Sequence, residues 1–233
     1  MSYITIQNVR DSDPTGDDYS DYTDAEIQAM IDKWQSFIET QTGNFFEIRN
    51  LTLNIDGTGG RILHLPTPII DLQQLQINKS GQDEDLTTII VYNGRGQPQD
   101  DRKNPKIALD PDYGDRASSI YSVNHYRDCK RIFRKGYRNQ LVKGNFGYVE
   151  SDDSTPIRIQ DALLRLVQRE INYGPDGVIS PGITDKEVTD GHSISYATKF
   201  GSVYTERITG DPVIDRTILD YKAPAGVGIT LQI

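Results

Sequence analysis

Residues 23–46 read TDAEIQAMIDKWQSFIETQTGNFF, and this stretch decides the fold. Thr23 followed three positions later by Glu26 is a capping box: the hydroxyl takes an orphan amide of the first turn and the carboxylate reaches back. Ile27, Met30, Ile31, Trp34, Phe37 and Ile38 recur at the spacing that places them on one helical face. Gln28, Asp32, Lys33, Gln35 and Glu39 fill the other face. Gly43 stands where a helix takes a left-handed closing residue. The only Trp of the chain lies on the apolar stripe, and no chemistry needs such a stripe. Its use is packing.

A second helix answers the first. Thr155 is suited to an N-cap and Pro156 to the first helical position. Ile159, Ala162, Leu163, Leu166, Val167 and Ile171 then form an apolar face, which Tyr173-Gly174-Pro175 ends. Asp211-Pro212 starts a short third helix in which Val213, Ile214, Thr217, Ile218 and Tyr221 share a face. Between the two long helices the period changes to that of strands. EIRNLTLNI and RILHLP flank the Gly-rich turn Asp56–Gly60 and read as a hairpin. IIDLQQLQIN, LTTIIVY and KIAL read as further strands. The expected class is α+β: a small helical bundle of two long helices and a short C-terminal one, with a large β insertion between the first two helices, and extended arms. The corresponding division is 1–22, N-terminal arm and acidic linker; 23–46 with 155–233, helical core with a β-ribbon arm and C-terminal tail; and 47–154, inserted β domain. Within the arm, residues 1–10 alternate like a short strand.

The 233 residues suffice for one large domain or two small ones. The hydrophobic fraction is 36% and the mean hydropathy is -0.56, so the core is lean and much of the chain goes to arms or partner surfaces. A formal charge of -9 argues against a surface that coats nucleic acid. One cysteine, Cys129, forms no internal disulfide. No signal-peptide core and no membrane-length apolar run is present. The expectation is a product made in the cytosol.

Charge is unevenly spread. Asp11, Asp13, Asp17, Asp18, Asp21 and Asp24 follow one another with no basic residue between them. Asp11, Asp13, Thr15 and Gly16 fit part of a calcium loop, but Tyr22 stands where the bidentate Glu belongs, so a solvated acidic linker is the better reading. Arg127, Lys130, Arg131, Arg134, Lys135, Arg138 and Lys143 make the basic segment, with Phe133, Tyr137, Phe146 and Tyr148 interleaved. It reads as strand, turn near Lys135-Gly136, strand. It is either a contact for phosphates or an acidic partner, or the solvated face of a hairpin. His125 and Cys129 form a single H-x-x-x-C pair with no second pair, so no zinc site follows. The glycines of 57–60 precede a strand and not a helix, which removes a phosphate loop. No nucleophile elbow or HExxH appears. A carboxylate pair could meet in space, as in a glycosidase, and sequence does not show it. Cys129 reads as inert. No catalytic residue, metal or cofactor is expected.

Five pieces in order then carry a resemblance: the helix ending IETQTGNFF; GTGGRILHLPTPIIDLQQLQI; GNFGYVESDDSTPIRIQDALLRLVQREI; KEVTDGHSISY; and DPVIDRTILDYKAP. Together they resemble the head-to-tail connector (adaptor) proteins of tailed bacteriophages. The large β insertion and the acidic segment depart from the general pattern of that family.

The resemblance implies a structural virion protein and not an enzyme. It implies a homo-oligomeric ring, a dodecamer, below the portal protein, extending the channel and docking tail or stopper proteins. Genomic DNA would pass the lumen without sequence-specific binding, and no membrane is involved. The place implied is the head–tail junction of the virion, assembled in host cytoplasm. By resemblance, Ile214, Ile218, Leu219, Tyr221, Lys222, Pro224 and Leu231 would dock on the portal. Ser193, Ile194, Tyr196, Phe200 and Tyr204 would clasp a neighbouring subunit. Arg127, Lys130, Arg131, Arg134, Lys135 and Arg138 would meet the next ring or the portal. The alternatives are another virion part, such as a tail-completion or baseplate protein, and a virion-associated hydrolase.

Overall fold

The computed structural model describes residues 2–13, 16, 19–78, 80–94, 100–110, 132–174 and 208–223, with the backbone of 186–189 and 192–195. It is an α+β chain. The helices are α1 (Ile6–Asp11), α2 (Asp24–Thr42), α3 (Ile157–Tyr173) and α4 (Pro212–Asp220). The strands are β1 (Arg49–Gly57), β2 (Ile62–His64), β3 (Ile69–Gln76), β4 (Ile89–Tyr92), β5 (Lys106–Leu109), β6 (Gly136–Phe146), β7 (Lys186–Thr189) and β8 (His192–Ser195). Two compact units divide them: Met1–Gly43 with Ile157–Lys222 is helical, and Asn44–Pro156 is mainly β.

In the helical unit α2 has both expected ends. The Thr23 hydroxyl accepts from the Glu26 amide, the Glu26 carboxylate accepts from the Thr23 amide, and Gly43 closes the helix at φ 67°. Those bonds from Thr23 hold the Glu26 carboxyl below its ordinary pKa. Ile27, Ile31, Trp34 and Ile38 are buried, with Met30 and Phe37 at the margin. They face α3, whose Ile159, Ala162, Leu163, Leu166 and Val167 are buried in turn; Ile171 is only half-buried. The Trp34 indole N–H donates to the Glu170 carboxylate, which also holds Lys33 Nζ at 2.7 Å. Helix α3 is helical from Ile157, not Pro156, and the Thr155 hydroxyl donates to the Phe46 carbonyl at 2.8 Å.

Two expectations about this unit are corrected. Residues 1–10 are not a strand: α1 occupies Ile6–Asp11, capped by Thr5 and Asn8 in a reciprocal box. The alternation was too short and too polar to distinguish two periods, whereas the Thr5/Asn8 spacing is the helix signal. Nor is this segment a free arm. Val9 is fully buried, Arg10 pairs with Asp24 at 2.5 Å, and Gln168 Nε2 donates to the Ser12 carbonyl at 3.0 Å.

The β unit holds two three-stranded antiparallel sheets, ordered β1-β6-β3 and β2-β5-β4. They share one hydrophobic cluster, in which Leu63, Ile89, Ile107 and Leu109 meet Leu72, Leu75, Val142 and Phe146. The expected hairpin across Asp56–Gly60 does not form. Strand β1 pairs with β6 and β2 pairs with β5. The turn instead gives its backbone to Phe133: Gly59 N–H donates to the Phe133 carbonyl at 2.7 Å, and Phe133 N–H to that of Gly60 at 2.8 Å. A Gly-rich turn between alternating segments is a local signal, and here a distant partner won. Of the basic segment's expected strand, turn near Lys135-Gly136 and strand, the second strand is present: Gly136–Phe146 is one eleven-residue strand at the centre of its sheet, and the first falls mostly outside the described residues.

Within the β unit, Asp100 and Arg102 form a bidentate pair at 2.8 Å. Arg102 also donates to the Val149 carbonyl at 2.9 Å and lies 4.5 Å from the Tyr148 ring centroid. Burial pushes the Asp100 carboxyl up, but the Arg102 guanidinium and amide, with the Tyr148 hydroxyl, outweigh it and leave the pKa below 3.8.

Three outcomes follow from these contacts. Glu170→Ala strands a buried indole donor and lowers stability by about 1–3 kcal/mol, whereas Lys33→Ala, which loses an exposed pair, costs less than about 1 kcal/mol; chemical denaturation compares them. A methyl at Gly144 would lie 2.2 Å from the Asp71 carbonyl oxygen, so Gly144→Ala pushes β3 off β6 and destabilises by about 1–3 kcal/mol or more. The Asp100 contribution is full above the ordinary carboxyl value of 3.8 and disappears as pH falls through the lowered folded value. Asp100→Asn therefore costs about 1.5–3 kcal/mol near neutral pH, and denaturation curves taken from pH 6 downward should show its gap to the parent closing only below about pH 4.

Candidate functional site

Of the basic segment, Arg127, Lys130 and Arg131 lie outside the described residues, as do His125 and Cys129. Arg134, Lys135 and Arg138 sit where β6 begins. Arg134 and Lys135 are exposed and Arg138 is half-buried. Among the described residues none of the three forms an ion pair. Tyr137 is 74% exposed, and the Arg138 guanidinium lies 5.2 Å from its ring centroid.

The backbone beneath them is fixed. Phe133 is fully buried and anchors the loop in the core. The Asn78 side-chain carbonyl accepts from Arg134 N–H at 3.1 Å and from Gln140 Nε2 at 3.1 Å. Asn139 Nδ2 donates to the Arg134 carbonyl at 2.8 Å, and Asn139 Oδ1 accepts from Gly57 N–H at 2.9 Å. Arg138 has φ 45°, and its N–H donates to Asp56 Oδ1 at 2.6 Å. A side-chain-bearing residue in this region carries strain that its neighbours must sustain. Sequence reasoning missed Asn78, Asn139, Gln140 and Asp56 as the residues that shape this loop. Gln140 had a readable signal: it shares strand parity with Val142 and Phe146, so it is a polar residue on a core-facing row.

The docking residues assigned to the C-terminal helix are distributed otherwise than expected. Ile214 and Ile218 are fully buried in the helical unit and offer no surface. The α4 stripe is spent on packing against α3 and α2. Buried Asp215 reinforces this, accepting from the Thr209 amide and hydroxyl, each at 2.7 Å. Leu219 and Tyr221 are half-buried and Lys222 is exposed; Pro224 and Leu231 lie outside the described residues. In the ribbon, β7 and β8 pair with Val188 opposite Ser193 and Glu187 opposite Ile194. Tyr196, Phe200 and Tyr204 lie outside the described residues.

Among the described residues no group of three or more His, Cys, Asp or Glu side chains is placed to hold a metal ion. Asp13, of the calcium-like segment, instead accepts from Tyr19 N–H at 3.0 Å. His64 is exposed on β2. No helix among the described residues is long and apolar enough to cross a membrane.

No protein-family model matches the chain, and no curated protein sequence matches it. Among solved structures, the chain is similar to one in the neck of an empty GTA particle computed with C6 symmetry, at 13% identity and a TM-score of 0.53. The match covers 97% of this chain and 92% of that one, so the likeness is of the whole fold and not of a fragment.

Proposed function

We propose that the chain is a structural subunit of the neck of a tailed-phage-like particle: a head-to-tail adaptor that forms a ring below the portal, extends the DNA channel and receives the tail. One observation carries this reading, the likeness of fold over nearly the full length of both chains to a neck protein. The sequence resemblance points the same way. A C6 computation is compatible with six or twelve copies, and the reading takes twelve. An acid-rich chain of net charge -9 suits a channel wall past which a polyanion slides without adhering. The reading gives the chain no catalytic role and places it in the virion.

The portal contact is assigned to residues beyond α4, because Ile214 and Ile218 are core. A deletion of 211–233 would remove part of that core, so the informative deletion is 224–233. Native mass spectrometry and electron microscopy of the chain, alone and mixed with its portal ring, test the proposal. A closed ring of this chain added to the portal, and lost in the 224–233 deletion with the helical unit still folded, is the expected outcome. A chain that ignores the portal and associates with tail components would replace the adaptor reading with that of a tail-completion protein.

A further inference from the structure

Among the described residues the cations that open β6 take part in none of the ion pairs, and what they do can be inferred once the ring reading is taken as the base. Arg10, Lys33, Arg49, Arg102, Arg158 and Arg216 each hold a carboxylate within 3.0 Å. Arg134, Lys135 and Arg138 hold none among the described residues. Arg134 and Lys135 stand just before β6, and Arg138 with the exposed Tyr137 in its first residues, on backbone fixed by Phe133, Asn78, Asn139 and Gln140. The backbone is already ordered, so a partner meets a patch whose loop needs no further folding.

The occupant must be acidic, and the chain itself supplies one. A fixed basic patch on a molecule of formal charge -9 finds opposite charge on every other copy. Duplex DNA fits less well, since three cations would have to hold it against the repulsion of the whole chain. We propose that the Arg134–Arg138 patch is one half of a heterologous contact, seated on the acidic surface of the next copy. Such a contact repeats head to tail and closes a ring when the rotation allows. Tyr137, exposed and with the Arg138 guanidinium 5.2 Å from its ring centroid, adds apolar area and a ring face beside the charge.

The test uses the full chain under the conditions in which the parent forms its ring, with portal present if portal is required. The double variant R134E/K135E reverses two exposed charges. It should need about tenfold or more higher concentration to assemble, as read by native mass. Mixed with the parent at equal amounts, it should yield open, short oligomers, because its patch fails while its acidic surface still accepts a neighbour. R138G removes the third charge with a residue suited to φ 45°; it should keep the parent's thermal midpoint and still weaken assembly. Rings from the double variant at the parent's concentration would overturn the proposal and leave the adaptor reading intact. So would unchanged rings with loss of retention by a short DNA duplex. A parent that forms no ring with or without portal would sink the adaptor reading, and this contact with it.

Discussion

The carbonyl oxygen of Asp71 occupies the space that a side chain on residue 144 would need, and it can do so only because residue 144 is glycine. That close approach lets β3 lie along one side of β6 while β1 takes the other. The consequences extend along the strand. With β6 held at Phe146, Val142 and Gln140, its first residues emerge in a set direction, and the loop before it must return Phe133 to the core. Gly57 repeats the device, since a methyl there would lie 1.8 Å from the Arg134 carbonyl oxygen. Thus two glycines, each at a point of backbone contact, determine where the exposed cations stand.

Electrostatics divides the charged residues by what they accomplish. Arg102 shows one extreme: its side chain is 11% exposed, and it is satisfied by Asp100, the Val149 carbonyl and the Tyr148 ring. A charge taken that far from water must be fully met, because the lost solvation is otherwise uncompensated. The pairs on the helical unit are more open, as Arg216 at 71% exposure illustrates, and contribute little each. Arg134 and Lys135 stay in water with no carboxylate among the described residues, so they cost the fold little and add nothing to it.

The helical unit was legible where its signals were local. Thr23, Glu26 and Gly43 marked both ends of α2, and the Trp34 stripe is buried as the spacing required. The α+β class followed from the change of period after Gly43. What sequence did not convey was partner choice. The segment after Gly60 carries every local mark of a hairpin return, yet β1 pairs with a strand that begins at Gly136. Pairing over that distance is decided by whether Gly144, Gly57 and Phe133 fit their neighbours, and each fit is a property of space and not of spacing. The site divides the same way. The basic residues were visible as a run, but not that Gln140 and Asn78 would clamp their loop, because those two meet only after the sheet has formed.

The burial of α4 changes where partner surfaces can lie. A stripe of Ile214, Thr217 and Ile218 looks equally like a docking face and like a packing face, since both demand the same period. The deciding residue is Asp215, which is 6% exposed and ties Thr209 and Gly210 back onto the helix. A carboxylate so placed makes sense only if the turn before α4 is held as firmly as the helix, which would obstruct a helix meant to detach and bind elsewhere. Among the described residues, the large apolar side chains left in water on the helical unit, Ile157, Tyr173 and Val213, come from three places in the sequence, and single exposed apolar residues are ordinary on any surface. Among the described residues, a chain built this way presents no continuous apolar helix face for recognition.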